Sequence, residues 1–406
     1  LCPAGLPSQD GDQGGHVRQF IQVVELVNGF FDLVRRQFIA ATGRELGVQF
    51  LRRHRVTWMA FFVLCPVADG GDGTLEALVD VSGGEVRTCY VQNPLGETIQ
   101  AEWGAMGDGV TAVIEMARTS GLALLSLGER DPLNASTYGL GQAISEALDE
   151  GFRKFIVGIG GSATNDAGAG MAQALGADLM DEQGNAINLG GAALSSLQTV
   201  DISNMDSRIK DSKFLVACDV SNPLTGEEGA SAVYGPQKGA TPEMVQRLDD
   251  ALSNFATVVK KDLKKDVSEI SGAGAAGGLG AGMMAFMDAE LKAGVDIVLD
   301  TVNLRDKLSS VDLVITGEGG MDFQTVYNKA PIGVARIASE YNIPTVAIAG
   351  LLGSNFKIVH EHGIRAATSI VNGPITLEEA SNRAFELISD SVEESLRFIS
   401  VGMGLS

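Results

Sequence analysis

Positive charge is what this 406-residue chain lacks most: 30 Lys and Arg stand against 51 Asp and Glu, a net charge of −21. A field of that sign repels nucleic acid and anionic lipid, so neither a nucleic-acid nor a membrane partner is expected. Cysteine is scarce, with Cys2, Cys65, Cys89 and Cys218 alone. None forms a C-x-x-C pair, and the four histidines add no zinc-ligand spacing; His360 and His362 read as an ordinary loop pair. Reduced, buried thiols and a cytoplasmic location follow as expectations. Proline numbers only 11, which excludes a chain built of stiff linkers. Long apolar runs are missing too. Val56–Ala68, behind Arg52, Arg53 and Arg55, is too short to span a bilayer and too far along the chain for a signal peptide. It reads as a buried strand. There is no Walker loop G-x-x-x-x-G-K-[ST], and no H-R-D or D-F-G set of the protein-kinase kind.

Glycine is what the chain has in excess: 51 residues, about twice the usual share. Without proline beside it, such an excess places glycine in turns where backbone must come close to something. The length suggests two or three domains, or one large α/β domain. Composition breaks near residue 65. Residues 1–65 hold seven Arg, no Lys, five acidic residues and seven of the 16 Phe, so the negative charge lies almost wholly beyond them. That segment is an atypical N-terminal unit, open to reading as a boundary, an extension or a mistranslated start. Within it, Val23, Val24, Val27, Phe30, Phe31 and Val34 have helical spacing, which predicts a helix inside Phe20–Phe50.

From about residue 60 the pattern becomes strand, glycine turn, helix. Apolar runs at Phe61–Val67, Phe155–Ile159, Phe214–Ala217, Leu313–Thr316 and Thr345–Ala349 read as strands. Helical patterns follow at Thr74–Val79, Thr137–Leu148, Ala167–Leu175, Gly277–Met287 and Ile332–Glu340. Such alternation is the mark of parallel sheet with crossover helices. Val86–Gly107 breaks it as short strands around an Asn93-Pro94-Leu95-Gly96 turn. The fold class expected is α/β: two α/β domains with parallel, Rossmann- or flavodoxin-like sheets and an active site in the cleft between them.

Polar residues gather in the glycine turns. Asp69-Gly70-Gly71-Asp72 leads into a helix, and Gly160-Gly161-Ser162-Ala163-Thr164-Asn165-Asp166 follows a strand. Cys218-Asp219-Val220-Ser221-Asn222 ends another strand, with Gln237-Lys238-Gly239 soon after. Glu318 and Asp322 follow a third, and Lys329 opens a helix. In open α/β sheets ligands bind at the carboxyl ends of strands. Carboxylates for a cation, and lysines with loop N–H groups for phosphate oxygens, suit a phosphorylated ligand with Mg²⁺. Each feature also has a plain explanation. An Asp before a helix is often an N-cap, a Lys is usually solvated, and glycines over Gly272–Gly282 can simply allow close packing. Two G-x-G-x-x-[GA] matches, from Gly158 and from Gly272, leave a dinucleotide-dependent oxidoreductase as a further reading, although the first lacks a clear second strand ending in an acidic residue at the right distance.

At these loops the chain resembles the bacterial glycerate kinase family (type I, glycerate 2-kinase). The stretches that carry the resemblance are Ala-Asp-Gly-Gly-Asp-Gly-Thr at 68–74, Gly-Ile-Gly-Gly-Ser-Ala-Thr-Asn-Asp at 158–166 and Ala-Cys-Asp-Val-Ser-Asn-Pro-Leu at 217–224. Gly-Pro-Gln-Lys-Gly-Ala at 235–240, Gly-Ala-Gly-Ala-Ala-Gly-Gly-Leu-Gly at 272–280, Thr-Gly-Glu-Gly at 316–319 and Lys-Ala-Pro at 329–331 complete it, over roughly 66–390.

The resemblance implies ATP-dependent phosphorylation of D-glycerate, at the 2-hydroxyl, with Mg²⁺. It also implies a discontinuous α/β domain (66–90 plus 275–406) interrupted by an inserted one (91–274). Monomer and dimer both stay open. Asp219 or Asp166 is the expected base, with Lys329 supplying charge. Gly160, Gly161, Ser162, Thr164, Asn165, Asn222, Lys238, Gly274, Gly277 and Gly278 are expected around phosphate or substrate. Asp69, Gly70, Gly71, Asp72, Glu318 and Asp322 join them, with Asp69 and Asp322 as metal ligands. Two departures stand out. The family's opening strand and Ala-Pro-Asp-Ser-Phe-Lys turn have no match in 1–65, which implies that its first strand, first helix and a polar loop are absent or replaced. An Arg usual after Gly-Glu-Gly is Gly320 here, and a Gly usual before Lys-Ala-Pro is Asn328. A nucleotide-binding homologue with impaired catalysis is the alternative these departures support.

Overall fold

The structure is a computed structural model, and it describes residues 18–25, 47–50, 59–68, 73–327 and 329–404. In chain order its strands are β1 (Arg18–Glu25), β2 (Gly47–Phe50), β3 (Met59–Val67), β4 (Glu85–Gln92), β5 (Thr98–Ala105), β6 (Thr111–Glu115), β7 (Lys154–Gly158) and β8 (Asp178–Met180). They continue as β9 (Thr199–Asp201), β10 (Lys213–Ala217), β11 (Glu290–Lys292), β12 (Leu313–Thr316), β13 (Gly320–Met321), β14 (Thr345–Ala349), β15 (Leu351–Leu352) and β16 (Ile364–Ser369).

Two six-stranded sheets organise the described residues. The first runs β16-β14-β12-β1-β3-β2 and is parallel except for the β2–β3 pair. The second runs β11-β10-β7-β6-β5-β4, parallel from β11 to β6 and antiparallel beyond. Burial follows topology. Every residue of β6 and β12 is buried, as interior strands covered on both faces require. In the β4–β5 hairpin Cys89 and Val91 are buried while Thr88 and Tyr90 face solvent, the alternation of a half-exposed antiparallel pair. Asn93 closes that hairpin, its Oδ1 accepting the N–H groups of Leu95 and Glu97.

Helices follow most parallel strands. Thr74–Ser82 comes after β3, Tyr138–Asp149 precedes β7, and Ala330–Glu340 lies between β12 and β14. The longest, Pro242–Leu263, starts where its sequence dictates: Thr241 accepts the Met244 N–H and Pro242 takes the first helical position. Its buried stripe is Leu248, Ala251, Leu252, Phe255, Val258 and Val259, spaced at three and four.

One large core lies in the second half of the fold, with Phe155 stacked on Phe214 at 4.6 Å and Trp103 edge-on to Phe152 at 5.3 Å. A second core joins the sheets. Cys65 and Val67 of β3 and Val314 of β12 share it with Val113 of β6, Ile156 of β7 and Ala217 of β10. Leu75 and Leu78 from helix Thr74–Ser82, and Val295 and Val298 from helix Gly294–Thr301, fill the space between. A polar tie runs alongside: buried Glu115, at the end of β6, accepts the Leu75 N–H at 3.0 Å and pairs with Arg118 at 2.8 Å. Each leucine buried there contributes about 1.5–3 kcal/mol.

The α/β class and the five strands expected from apolar runs are present. The helix expected inside Phe20–Phe50 is not what its described parts form. Arg18–Glu25 is strand, paired in parallel with β3 and β12 in the middle of the sheet, and Gly47–Phe50 is strand as well. Ile21, Val23 and Val24 are β-branched, and two parallel neighbours outweigh a three-and-four spacing. Val27, Phe30, Phe31 and Val34 lie outside the described residues. The family's first strand was expected to be absent or replaced; β1, whose sequence lacks the family's opening motif, is a strand between β3 and β12. The run expected as a buried strand at Val56–Ala68 is β3, whose Cys65 and Val67 are buried.

Candidate functional site

β7 and β10 are parallel neighbours, Gly158 pairing with Ala217, so the chain leaves both at the same edge of the sheet. There the turn after β7 and the turn after β10 line a pocket of about 330 Å³. Gly160, Gly161 and Ser162 form one wall, and Cys218, Asp219 and Val220 another. Tyr234, Gln237, Ala275, Ala276 and Lys329 close it. Lys329 arrives at the N-cap position of helix Ala330–Glu340.

The Gly160–Ser162 turn is held from behind. Leu122 N–H donates to the Gly161 carbonyl at 2.8 Å, and Ala163 N–H donates to the Ser120 carbonyl at 2.9 Å. Gly161 has φ +70, and a Cβ there would sit 3.3 Å from the Ala117 methyl. Gly160 is exposed, with open space where a Cβ would stand. The turn therefore presents backbone to the pocket, as an anion-binding concavity does.

Asp219 is exposed at the pocket, and its Oδ1 accepts the Gly294 N–H at 3.0 Å. Beside it, burial pushes the Cys218 thiol up, and Asp219's charge adds to the shift. Cys218 is therefore a neutral packing group. The Tyr234 hydroxyl donates to Asn222 Oδ1 at 2.7 Å, while Asn222 Nδ2 donates to the Glu228 carbonyl at 2.7 Å. Both ends of the Asn222 amide are thus engaged, and the side chain shapes the loop after β10.

Several expected site residues sit behind the pocket. Asp166 is fully buried and accepts from Thr137 N–H (2.8 Å), Thr137 Oγ1 (2.9 Å), Gly168 N–H (3.2 Å) and Gly170 N–H (3.3 Å). Burial pushes its carboxyl up, and those donors pull it back. Thr164 and Asn165 are fully buried as well, with Asn165 Nδ2 donating to Ser231 Oγ at 3.0 Å. Lys238 is 1% exposed, and its Nζ donates to the Thr164 carbonyl at 2.6 Å. Burial lowers its pKa to about 7, with Asp166 opposing the shift.

Gly274, Gly277 and Gly278 are packing glycines. A Cβ would lie 2.1 Å from the Pro223 carbonyl oxygen at Gly274 and 2.0 Å from that of Thr164 at Gly277, and 2.9 Å from a Leu224 methyl at Gly278. Glu318 accepts the Thr325 hydroxyl at 2.6 Å, and Asp322 caps the Phe323–Val326 turn by accepting the Gln324 N–H at 2.7 Å. Neither lines the pocket. Asp69, Gly70, Gly71 and Asp72 lie outside the described residues. Among the described residues no group of three His, Cys, Asp or Glu is placed to hold a metal ion.

Of the expected set, the pocket brings together Gly160, Gly161, Ser162, Asp219 and Lys329. Tyr234 and Gln237, which belong to one of the polar glycine turns but were not among the expected site residues, line it too. The signal was available for Gln237, which neighbours Lys238 in a Gly-Pro-Gln-Lys-Gly turn; the short 3₁₀ turn Pro236–Lys238 sends Gln237 outward and Lys238 inward. The dinucleotide fingerprint lacks its geometry. After Gly158–Ala163 the chain passes through a further loop, with Ala167 and Gly168 at positive φ, and the next helix begins only at Ala169.

The chain is similar to known proteins over most of its length. A family model described as the glycerate kinase family matches residues 49–400. A curated glycerate kinase from Halalkalibacterium halodurans is 51% identical over 347 residues, covering 86% of this chain and 90% of its own length. A glycerate 2-kinase from Escherichia coli is 49% identical, covering 85% and 90%. A solved crystal structure described as a glycerate kinase 2, from Salmonella typhimurium, superposes with a TM-score of 0.82 at 42% identity, covering 95% of this chain and 99% of that one.

Proposed function

This chain belongs to the glycerate kinase family, and from that premise we propose that it transfers the γ-phosphoryl group of ATP to the 2-hydroxyl of D-glycerate. The observation that carries this reading is the meeting of Asp219, Lys329 and the open Gly160–Ser162 turn around one pocket. Phosphoryl transfer asks a protein for positioning and charge neutralisation more than for covalent chemistry. The backbone of Gly160, Gly161 and Ser162 holds phosphate oxygens, and the Lys329 ammonium lies against the charge that spreads over them. Asp219 accepts the hydroxyl proton as the new O–P bond forms, the bond to the bridging oxygen breaks and ADP leaves. Asp166 is unsuited to that role, because it is buried among donors and does not line the pocket.

A Mg²⁺ ion is consistent with the site. Such ions are held by one or two carboxylates plus substrate phosphates, so a cage of three protein ligands is not required. Asp219 is the carboxylate in the described pocket lining, with Asp69 and Asp72 outside the described residues. The ion would supply charge neutralisation at the phosphates.

We further propose two domains, one for each six-stranded sheet, with the pocket at their junction. Lys329, which follows β12 in the first sheet, and Asp219, which follows β10 in the second, support that division. A cytoplasmic site of action accords with the free thiols Cys65, Cys89 and Cys218. No helix among the described residues is long and apolar enough to cross a membrane.

A coupled assay of ADP release tests the function. Turnover should require both ATP and D-glycerate, and NMR of the product should show phosphate on C2. No glycerate-dependent release would reject the reading. A second reading, a nucleotide-binding homologue with impaired turnover, is favoured by Gly320, where the resemblance places an Arg. Nucleotide binding without ADP release would establish it.

A further inference from the structure

Thr164's carbonyl oxygen is a meeting point behind the pocket. The loop that carries it forms the Gly160–Ser162 wall. Gly277 packs on the same oxygen, closely enough that a Cβ there would lie 2.0 Å away, and it follows directly on Ala275 and Ala276, which form another wall. Lys238 Nζ also reaches that oxygen, at 2.6 Å, from the turn that carries Gln237. Three walls of one pocket are therefore fastened at a single buried acceptor.

The fastening is polar in a place where polarity is costly. Lys238 is 1% exposed, and among the described residues its amino group makes one hydrogen bond, to the Thr164 carbonyl. Thr164 Oγ1 and Asn165 Oδ1, in the same loop as that carbonyl, are buried and without a hydrogen-bond partner among the described residues. Burying a lysine amino group brings no gain in stability over an apolar side chain of the same size. What the buried lysine does supply is a fixed link between the loops it joins.

We propose that Lys238 is a positioning residue: its buried amino group, seated on the Thr164 carbonyl, sets the spacing of the Gly160–Ser162, Ala275–Ala276 and Gln237 walls and so aligns bound phosphate for transfer. Lys238 itself does not touch the ligand. The proposal rests on the kinase reading for its turnover readout and on the geometry alone for its second readout.

The test compares the full-length chain with Lys238→Met, a neutral side chain of similar length. The first readout is kcat and KM for ATP and D-glycerate. The second is amide hydrogen exchange over residues 159–163 and 235–239, with β4 and β5 as distant controls. Melting temperature is followed in parallel. The expected result is a kcat at least tenfold lower, KM values changed less than threefold, and exchange at least tenfold faster in those two segments alone. The melting temperature should stay within a few degrees of the parent. A kcat within twofold of the parent overturns the proposal. Lost turnover with unchanged exchange also overturns it, because Lys238 would then act on phosphate directly. If the parent shows no glycerate-dependent ADP release, the kinase reading fails, and exchange alone decides this one: faster supports it and unchanged overturns it. Should Lys238→Met not fold, Lys238→Gln, which keeps a donor without the charge, is read by the same criteria.

Discussion

Asp219 accepts the N–H of Gly294 at 3.0 Å, so the pocket carboxylate after β10 is tied to the first turn of helix Gly294–Thr301. One oxygen is anchored to backbone while the residue still lines the pocket. A carboxylate held in this way is oriented before substrate arrives.

Asp219→Asn keeps an oxygen for the Gly294 N–H and removes the base. The kcat for ADP release should fall by about 10²-fold or more, with a melting temperature close to the parent's. Near-normal turnover would remove Asp219 from the chemistry.

Gly160 and Gly277 separate two uses of glycine. Gly160→Ala adds a methyl group to open pocket space, so folding should be unaffected while kcat/KM falls. Gly277→Ala places a Cβ 2.0 Å from the Thr164 carbonyl at φ +72, and should cost about 2 kcal/mol or more. Denaturant melts of both variants, beside their kinetics, check the contrast. Equal losses of stability would contradict it.

Gly320 is exposed in β13, with no positive φ and nothing near where a Cβ would stand. An Arg fits there without strain. If the Arg that the resemblance places here binds carboxylate or phosphate, Gly320→Arg should raise kcat/KM for D-glycerate about tenfold or more, with stability unchanged. Unaltered kinetics would show that this departure carries no cost.

Lys238 gives the protein a pH signature. Its folded pKa is lowered to about 7 by burial, from an ordinary value of 10.5. Between those values the unfolded chain binds the extra proton, so stability rises with pH across that window. The burial cost is fully present below about pH 7 and is gone near pH 10.5. Urea melts from pH 7 to 9.5 should show the parent gaining stability relative to Lys238→Met. A constant difference between the two would contradict the shift.

The sheet architecture was largely legible because its strands are continuous apolar runs bounded by glycine. Leu313–Thr316 and Thr345–Ala349 fall where their runs predict. The first fifty residues were not legible in this way. Ile21, Val23 and Val24 satisfy helical spacing and strand propensity alike, and only the neighbours β3 and β12 decide between them. At the site, Asp219 and the Gly160–Ser162 turn could be read from their place after strands. Lys238, Asp166 and Asn165 could not be placed, because local sequence does not say which side of a turn faces inward. The glycines at 274, 277 and 278 carry the same ambiguity, since close packing and phosphate contact both select glycine.

The apolar core that joins the two sheets constrains how the molecule can move. Helices Thr74–Ser82 and Gly294–Thr301, which carry Leu75, Leu78, Val295 and Val298 into that core, each pack against strands of both sheets, so swinging the sheets apart as rigid halves would wet it. Separating even two of these side chains costs about 3–6 kcal/mol, a state occupied less than one part in a hundred. Ligand capture and product escape are therefore left to short backbone segments at the pocket rim. Their nanosecond-to-microsecond motions, and not a domain swing, would set how often the pocket opens.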